Sequence, residues 1–450
     1  MKTVLIIAGS DPGAGAGLQQ DLKVATLLGT YGLTVVTALT VQNSREVRAV
    51  HPVDPAVVAA QLDAVLSDFP VAAIKIGMLA TGAIVTTVAR KLKEIKLPPL
   101  VLDPVLAAGH GPPLLDVDGV KALVEELFPL SHILTPNVPE AAALTGLEID
   151  TPAHLEDAAR RLQALGPKWV LAKGGHLPGE PVDILTDGKN AYHLPNPRLP
   201  APHHHGSGCL LATALAAHLA QGLSVPEAVN QARSLVTQAL RFGLPLGGGV
   251  GPVNPYAPFA RDLARYEVLE ALKQAGARLQ KEDLRPLIPE VMTNLGYATP
   301  YPEGPQDVAA FPGRLLKGPE GVIIPAPPAF GASRHIAAAI LTAMDTHPHL
   351  RAAMNIKYID NLNDLAPLFH LNTVTLDPSQ PPSETTPPGK DTLSCNLTSL
   401  LKPGEPPPDL IFTKGGWGIE PTTLILGPDP MTVAEKALAL KNAMQVGGRG

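Results

Sequence analysis

Two glycine-rich turns carry the residues best suited to chemistry in this chain. The first is Gly9-Ser10-Asp11-Pro12-Gly13-Ala14-Gly15-Ala16-Gly17, and the second is Gly206-Ser207-Gly208-Cys209, directly after His205. The second runs into LLATALAAHLAQGL, an Ala/Leu stretch of helical composition. A helix that starts on small residues leaves backbone N–H groups free and aligned. Such an end stabilises an anionic oxygen, for instance of a phosphoryl group in transfer. Cys209 falls in the first turn of that helix, where the dipole is expected to lower a thiol pKa. Two turns of this kind, each joined to a helix, suggest a small-molecule kinase.

The first turn lacks the Gly-Lys-Ser/Thr ending of a P-loop. It also lacks an acidic residue about 20 positions on to hold a ribose, the second strand ending instead in Gln42-Asn43. Two readings remain. The turn is a substrate cradle, with Asp11 and Asp21 offering carboxylates to a polar heterocycle, or it is a glycine turn without a ligand. Further polar residues follow apolar runs: Lys75-Ile76-Gly77-Met78, Asp103-Pro104, Asn137-Val138-Pro139-Glu140 and Lys173-Gly174-Gly175-His176. A phosphotransferase needs carboxylates for Mg²⁺ and its waters, and a cation for phosphate. Asp103 and Glu140 suit the metal and Lys173 the phosphate. Each alone is more often a helix cap or a solvated charge; their common position at strand ends is what points to a site.

Further along, Arg314 in FPGRL, the turn Gly331-Ala332-Ser333-Arg334-His335 and the run Met354-Asn355-Ile356-Lys357-Tyr358 stand out. Arg314 offers a guanidinium to a diphosphate, and Gly331 and Ser333 open a helix in the manner of a phosphate site. An ordinary helix capped by Ser333 reads equally well from these residues.

The elements that must position these groups alternate. Strands are predicted over 3–9, 33–39, 72–77, 99–105, 132–137 and 168–174, with helices over 18–29, 54–68, 141–146, 155–166 and about 225–242. Continuous apolar strands between amphipathic helices predict a parallel sheet covered on both faces. Gly247-Gly248-Gly249 and GPVNPYAPFA (251–260) mark a boundary. The expected division is a first domain over 1–260, a helical linker over 261–280, in which 266–280 reads as a new helix starting the second unit, and a smaller mixed α/β domain over 281–450. Strands are predicted there over 321–326, 354–359, 371–377, 409–415 and 422–427, and helices over 333–346 and 431–445. Residues 377–391 read as a polar proline-rich loop.

Composition narrows the class. The 450 residues are 45% hydrophobic and 17% charged with a net charge of −6, which supplies no basic field for nucleic acid. No apolar run reaches the roughly 18 residues of a membrane span. The opening MKTVLIIAGSDPG is too short an apolar stretch for a signal peptide and reads as a first strand. Two cysteines, Cys209 and Cys395, cannot build a disulfide framework, so a reducing cytoplasm is expected. His203-His204-His205 cannot all face one ion, and no metal is assigned to them.

Residues 1–256 resemble the hydroxymethylpyrimidine/phosphomethylpyrimidine kinases of the ribokinase-like superfamily. The resemblance rests on AGSDPGAGAGLQQDLK, TALTVQN, KIGMLA, LDPVLAAGHGPPLL, TPNVPEAAALTG, KGGH, HGSGC and GVGPVNP. It implies a ribokinase-like parallel-sheet sandwich and two successive ATP-dependent phosphorylations, of a pyrimidine alcohol and then of its monophosphate. Carried onto matching positions, it puts the pyrimidine near Gly9, Asp21, Gln42 and Met78. ATP and Mg²⁺ fall near Asp103, Glu140, Lys173 and Gly206, Ser207 and Gly208. Cys209 occupies the place of the aspartate base of related sugar kinases. A homodimer is the family expectation. Pyridoxal kinases are a sister chemistry, from which Gln42 and Met78 favour the thiamine pyrimidine. The chain departs from the usual pattern at Gly13-Ala14 and at Leu210, where a threonine hydroxyl is lost.

Residues from about 280 to 445 resemble the archaeal-type thiamine phosphate synthase domain. NLGYATPYPEGPQDVAAFPGRL, FGASRHIA, AAMNIKY and FTKGGWGIEPTTLILG carry this likeness. It implies condensation of the pyrimidine diphosphate with hydroxyethylthiazole phosphate. Arg314 and His335 are the expected catalytic residues, and Gly331, Ser333, Asn355 and Lys357 the expected phosphate binders. The chain has Thr413-Lys414-Gly415 where the family often shows Asp-Arg-Gly. A domain of this type can also serve as a sensor of thiamine phosphate without making it.

Overall fold

Strand β1 (Thr3–Ser10) is apolar on both faces, and Val4 to Ala8 are all buried, so the sheet it starts must be covered on both sides. The computed structural model describes residues 1–107, 113–358, 365–376, 397–413, 415 and 420–447. The chain divides into two units, Met1–Pro258 and Phe259–Gly450.

In the first unit, α1 (Gly17–Leu27), β2 (Tyr31–Gln42), β3 (Val47–Pro52), α2 (Pro55–Asp68), β4 (Val71–Ile76), α3 (Gly82–Lys93) and β5 (Leu100–Leu102) follow β1. Next come α4 (Val117–Ala122), β6 (Ile133–Leu134), α5 (Val138–Thr145), α6 (Pro152–Ala164), β7 (Trp169–Ala172), β8 (Val182–Thr186) and β9 (Ala191–Pro195). The unit closes with α7 (Ser207–Ala220) and α8 (Val225–Arg241), and α9 (Ala257–Leu263) lies across the boundary. The nine strands form one sheet in the order β3-β2-β1-β4-β5-β6-β7-β8-β9. The six central strands are parallel; β3, β8 and β9 pair antiparallel at the edges. All six strands predicted from the apolar runs are present. The edge strands escaped the sequence reading because half-exposed segments such as VRAVHP carry no continuous apolar run.

A core of Leu5, Ile7, Ile74, Ile76, Leu100 and Leu102 packs against α2, α3 and α6 on one face. Helices α1 and α7 lie against the sheet on the other, where Lys75 of β4 meets Asp21 of α1. Because the central strands are parallel, the loops after β1, β2, β4, β5, β6 and β7 all emerge at one edge. That is the edge where open α/β sheets place ligands.

The second unit holds α10 (Arg265–Lys281), β10 (Leu295–Ala298), β11 (Val308–Ala310), β12 (Leu316–Lys317), β13 (Val322–Ile323) and β14 (Ala329–Phe330). It continues with α11 (Arg334–Thr346), β15 (Ala352–Lys357), β16 (Thr373–Leu376), β17 (Leu410–Thr413), β18 (Thr422–Gly427) and α12 (Pro430–Gly447). Seven strands form a mixed sheet, β14-β11-β10-β15-β18-β17-β16, in which only β16 and β17 pair in parallel. The stretch 261–280, expected as a linker, is corrected here. Leu272, Ala275 and Leu279 of α10 are fully buried in this unit's core with Phe311, Met354 and Phe412, so α10 is a core helix. The expected strand over 321–326 shrinks to Val322–Ile323, because Pro325 cannot donate to a ladder. The proline-rich stretch 377–391 and Cys395 lie outside the described residues.

Candidate active site

The glycine turn after β1 is organised by its own aspartate. Asp11 accepts hydrogen bonds from the backbone N–H of Gly13 (2.8 Å), Gly15 (3.1 Å) and Ala16 (2.9 Å). Burial opposes the Asp11 charge, but hydrogen bonds from His205, Ala16 and Gly13 outweigh it and hold the carboxyl below its ordinary range. The amides of the turn that leads into α1 are therefore occupied from within the chain, while α1 itself carries no side-chain cap. Asp11 does not offer its carboxylate to a heterocycle, as the sequence allowed; it builds the turn.

The second turn is left open. Gly206 takes a left-handed conformation (φ 82°) at the N-cap of α7, and no side chain caps this helix. By contrast Thr151 caps α6 and Asn137 with Glu140 forms a capping box on α5. The first-turn amides of Gly208 and Cys209 have no intrahelical acceptor, as at any helix start, and are available to an anion. A Cβ at Gly206 would collide with the Gly15 carbonyl, so glycine is required where the two turns touch.

The strand-end residues converge on this open turn. Asp103, 3% exposed, accepts from Lys173 Nζ (3.1 Å) and from the Thr135 hydroxyl (3.0 Å). A Cβ on Gly208 would lie 3.5 Å from Lys173 Nζ and 3.6 Å from Asp103 Oδ2, so both groups face the start of α7. Lys173 is brought in by a bridge that extends the β6–β7 ladder, its N–H donating to Pro136 O (2.8 Å). Burial works against the Lys173 charge, but Asp103 and Glu140 raise its pKa above the ordinary lysine value. Glu140 accepts from Asn137 N (2.8 Å) and feels both Lys173 and Asp103. Burial, with the Asp103 charge, pushes its carboxyl up to about 7 against the pull of Lys173. Two carboxylates beside a lysine fit Mg²⁺ held mainly by nucleotide phosphates and water.

Beneath this edge is a fully buried ion pair. Lys75 Nζ lies 2.6 Å from Asp21 Oδ2, both side chains have no exposure, and Asp21 also accepts from Thr213 of α7 (2.7 Å). Burial alone would strip the ammonium, yet the charge and hydrogen bond of Asp21, together with the nearby Cys209 and Asp103, outweigh it and keep Lys75 protonated. Asp21, expected at the pyrimidine, is instead committed to Lys75 and Thr213. Lys75 was legible as a lysine inside an apolar run, which needs a buried partner.

Cys209 is half-buried and close to Lys75, Asp21 and Asp103. Its thiol is not lowered by the helix start, as the sequence predicts. Burial, aided by the Asp21 and Asp103 charges, pushes it up to about 11 against the pull of Lys75. Gly9 and Met78 meet directly, a Cβ on Gly9 lying 2.9 Å from Met78 Sδ, and Met78 packs with Ala38 and Ala80. Gln42, at the end of β2, lies 3.3 Å from His205 Nε2, which is also 3.1 Å from Asp11 Oδ2. The neighbouring histidines turn elsewhere: His203 Nδ1 accepts from Gly251 N (3.2 Å) and His204 Nδ1 lies 3.1 Å from Ala201 O.

In the second unit the expected residues separate. Ser333 caps α11 through Ile336 N (3.4 Å), and Gly331, left-handed at φ 73°, donates to Val308 O (2.9 Å) at the start of β11. Arg314 follows a turn off Phe311, beyond the other end of β11, with a left-handed backbone (φ 66°) and Nη1 on the Val291 carbonyl. Asn355 joins it there: its Oδ1 accepts from Asn294 N and its Nδ2 donates to Met292 O, both 2.8 Å. Lys357 is exposed at the same end of the sheet, paired in register with Thr422. The strand register thus groups Arg314, Asn355 and Lys357 and puts Gly331 and Ser333 at the opposite end of β11, with His335 exposed in the first turn of α11. Glu420, unread in the sequence, accepts from Glu290 N (2.9 Å) and Val291 N (2.8 Å) and secures the turn ahead of β10 that Arg314 and Asn355 also hold. Lys414 lies outside the described residues.

Known proteins match both halves. Residues 271–439 match the family described as thiamine-phosphate synthase ThiN. The thiamine biosynthesis bifunctional protein ThiED of Geobacter sulfurreducens is 49% identical over 253 residues, 56% of this chain and 52% of its own length. The hydroxymethylpyrimidine/phosphomethylpyrimidine kinase of Streptomyces coelicolor is 47% identical over 56% of this chain and 93% of its own. The chain thus spans about half the length of the first relative and nearly all of the second. Among solved structures, an ADP complex of Bacillus subtilis pyridoxal kinase is 35% identical with a TM-score of 0.54, covering 58% of this chain and 99% of that one. Staphylococcus aureus pyridoxal kinase with AMP-PCP and pyridoxal gives 34% and 0.52, over 56% and 93%. The family described as phosphomethylpyrimidine kinase matches residues 11–254, more than half of the chain, and the chain belongs to that family.

Proposed function

We propose that this chain phosphorylates 4-amino-5-hydroxymethyl-2-methylpyrimidine and then its monophosphate with ATP. It then joins the resulting diphosphate to hydroxyethylthiazole phosphate, giving thiamine phosphate and diphosphate. The carrying observation is the meeting of Asp103, Lys173 and Glu140 with the uncapped start of α7 at the ligand edge of a parallel sheet.

In each kinase step an oxygen of the pyrimidine substrate attacks the γ-phosphorus, the bond to ADP breaks and ADP leaves with the electron pair; in the first step the hydroxyl proton of the alcohol passes to water. Lys173 and the amides of Gly208 and Cys209 hold the charge that develops on the transferring group. Asp103 and Glu140 would hold Mg²⁺, which when bound offsets phosphate charge. Cys209 keeps its proton at neutral pH, so we assign it to orienting the acceptor oxygen and not to standing as a ready base. Gly9, Gln42 and Met78 would face the ring, with Asp21 supporting them through Lys75. In the condensation the thiazole nitrogen forms a bond to the pyrimidine methylene carbon as its bond to diphosphate breaks. Arg314 and His335 are the proposed groups for that step, with Gly331, Ser333, Asn355 and Lys357 for phosphates. The reading carries a homodimeric kinase unit and a cytoplasmic location with it.

A second reading rests on one observation, the placement of Arg314 and Gly331–Ser333 at opposite ends of β11. On that reading the second unit binds thiamine phosphate and makes nothing. Purified protein given the pyrimidine alcohol, ATP, Mg²⁺ and the thiazole phosphate separates the two. Thiamine phosphate formation supports the synthase. Accumulation of pyrimidine diphosphate, with thiamine phosphate still bound, supports the sensor. No phosphorylation of the pyrimidine sinks the kinase reading as well.

A further inference from the structure

The ring of His205 joins the two glycine turns and touches the residue proposed to read the substrate ring. Its backbone is fixed on both sides, N–H to Gly251 O (3.1 Å) and carbonyl from Val253 N (3.1 Å), so the imidazole has little freedom of position. Gly15 leaves room for it, since a Cβ there would collide with the imidazole. Nε2 then lies 3.1 Å from Asp11 Oδ2 and 3.3 Å from Gln42 Nε2, the NH₂ end of that amide.

These two neighbours make different demands on one nitrogen. The Asp11 carboxylate already accepts three backbone N–H groups and can only accept, so Nε2 must carry a proton toward it. A protonated Nε2 repels the NH₂ end of Gln42 that lies against it and favours the reversed amide, with the carbonyl end there, since the orientation of an amide side chain is assigned from its partners. Thr40, whose hydroxyl donates to the Ser10 carbonyl (3.0 Å) and lies 3.3 Å from the far end of the amide, can then accept from the NH₂ turned toward it.

We propose that His205 is a positioning residue for ring recognition. Held by Asp11, it sets which end of the Gln42 amide faces the ligand cleft. That fixes a preference for a ring presenting an amino group beside a ring nitrogen, the donor–acceptor pair an oriented amide reads in two contacts. The inference deepens the kinase reading above and rests on it. It also ties the substrate turn to the anion turn, because Gly206 follows His205 directly.

The test uses the full chain and two variants. His205→Leu removes the donor at similar volume, and His205→Gln returns an N–H donor near the Nε2 position. Steady-state kinetics are run with the aminopyrimidine alcohol and with pyridoxal, at saturating ATP, alongside calorimetric binding of the pyrimidine alone and a thermal melt. Loss of one oriented hydrogen bond predicts that His205→Leu raises KM and Kd for the pyrimidine by about tenfold. The effect falls on KM for the ring more than on kcat or on KM for ATP. The preference over pyridoxal shrinks by a similar factor, and His205→Gln recovers most of it. A Leu variant that binds the pyrimidine as the wild type does overturns the inference and leaves the kinase reading standing. Equal losses in kcat, KM for ATP and KM for the ring, unrescued by Gln, also overturn it in favour of a structural role. A wild type that binds neither ring overturns both the inference and the reading.

Discussion

At the scale of single residues, environment decides chemistry that residue type leaves open. Cys209 is the clearest case. Its position in the first turn of α7 argues for an acidic thiol, yet burial beside Asp21 and Asp103 pushes it up to about 11. In a Cys395→Ser background, the alkylation rate of Cys209 is expected to stay low at pH 7.5 and to climb only well above pH 9. A midpoint at or below that of an ordinary thiol would mean the helix start wins over burial. Glu140 carries a second residue-scale prediction. Its pKa rises from 4.5 to about 7 on folding, so between those values the folded chain binds more protons than the unfolded one. Stability contributed by this group is therefore present below pH 4.5 and lost as pH rises through 7. Metal-free Glu140→Gln should lose that part of the pH dependence and melt higher than wild type at pH 8. Gln can still accept from Asn137 N, so the helix cap survives the change. Identical pH profiles of melting for the two proteins would refute the assignment.

At the scale of elements, one buried triad joins three of them. Lys75 comes from β4, Asp21 from α1 and Thr213 from α7. Lys75→Met would strand the Asp21 charge without exposure to water, at a cost of about 3–5 kcal/mol, while Lys75→Met with Asp21→Asn should recover much of it. Denaturant unfolding of both variants measures this; a double variant no more stable than the single one would show that the charges do not act as a pair. The turn at α7 makes a different demand. Gly206→Ala must place a Cβ into the Gly15 carbonyl at φ 82°, so the turn has to shift. Local backbone strain of about 1–3 kcal/mol is expected. ATP-dependent phosphorylation should fall by at least about tenfold, because displaced amides no longer face the phosphoryl group. Wild-type kinetics in Gly206→Ala would remove α7 from the phosphate site.

At the scale of the whole molecule, the chain carries two units with separate cores and separate sheets. If each runs its own reaction, a block in one should leave the other working. His335→Ala is expected to form the pyrimidine diphosphate at the wild-type rate and to stop there, read by chromatography of the nucleotide-free products. Cys209→Ala, slowed in phosphorylation, should still condense pyrimidine diphosphate supplied from outside. Loss of both activities in either variant would contradict this independence.

The sequence by itself determined the parallel core and the edge at which ligands gather. Short apolar runs ending in Asp103, Asn137–Glu140 and Lys173 can only be buried strands whose polar ends reach one side, and the glycine turns mark where backbone comes close to a ligand. It also located both units, because each has its own periodic segments. It read 266–280 as a helix opening the second unit but set that helix apart as a linker, since the amphipathic stripe of α10 does not say which core it covers. What only the tertiary structure decided are the partners. Asp21 finds Lys75 across 54 positions and Thr213 across 192, and His205 finds Asp11 across 194. No local pattern records such pairings, and the burial that accompanies them sets the charge of every group involved. Hence Asp11 builds a turn and Asp21 supports a lysine, though both read in the sequence as ligands for a substrate. The placement of Arg314 and Gly331–Ser333 at the two ends of the three-residue β11 is likewise set by strand register, which no local pattern records.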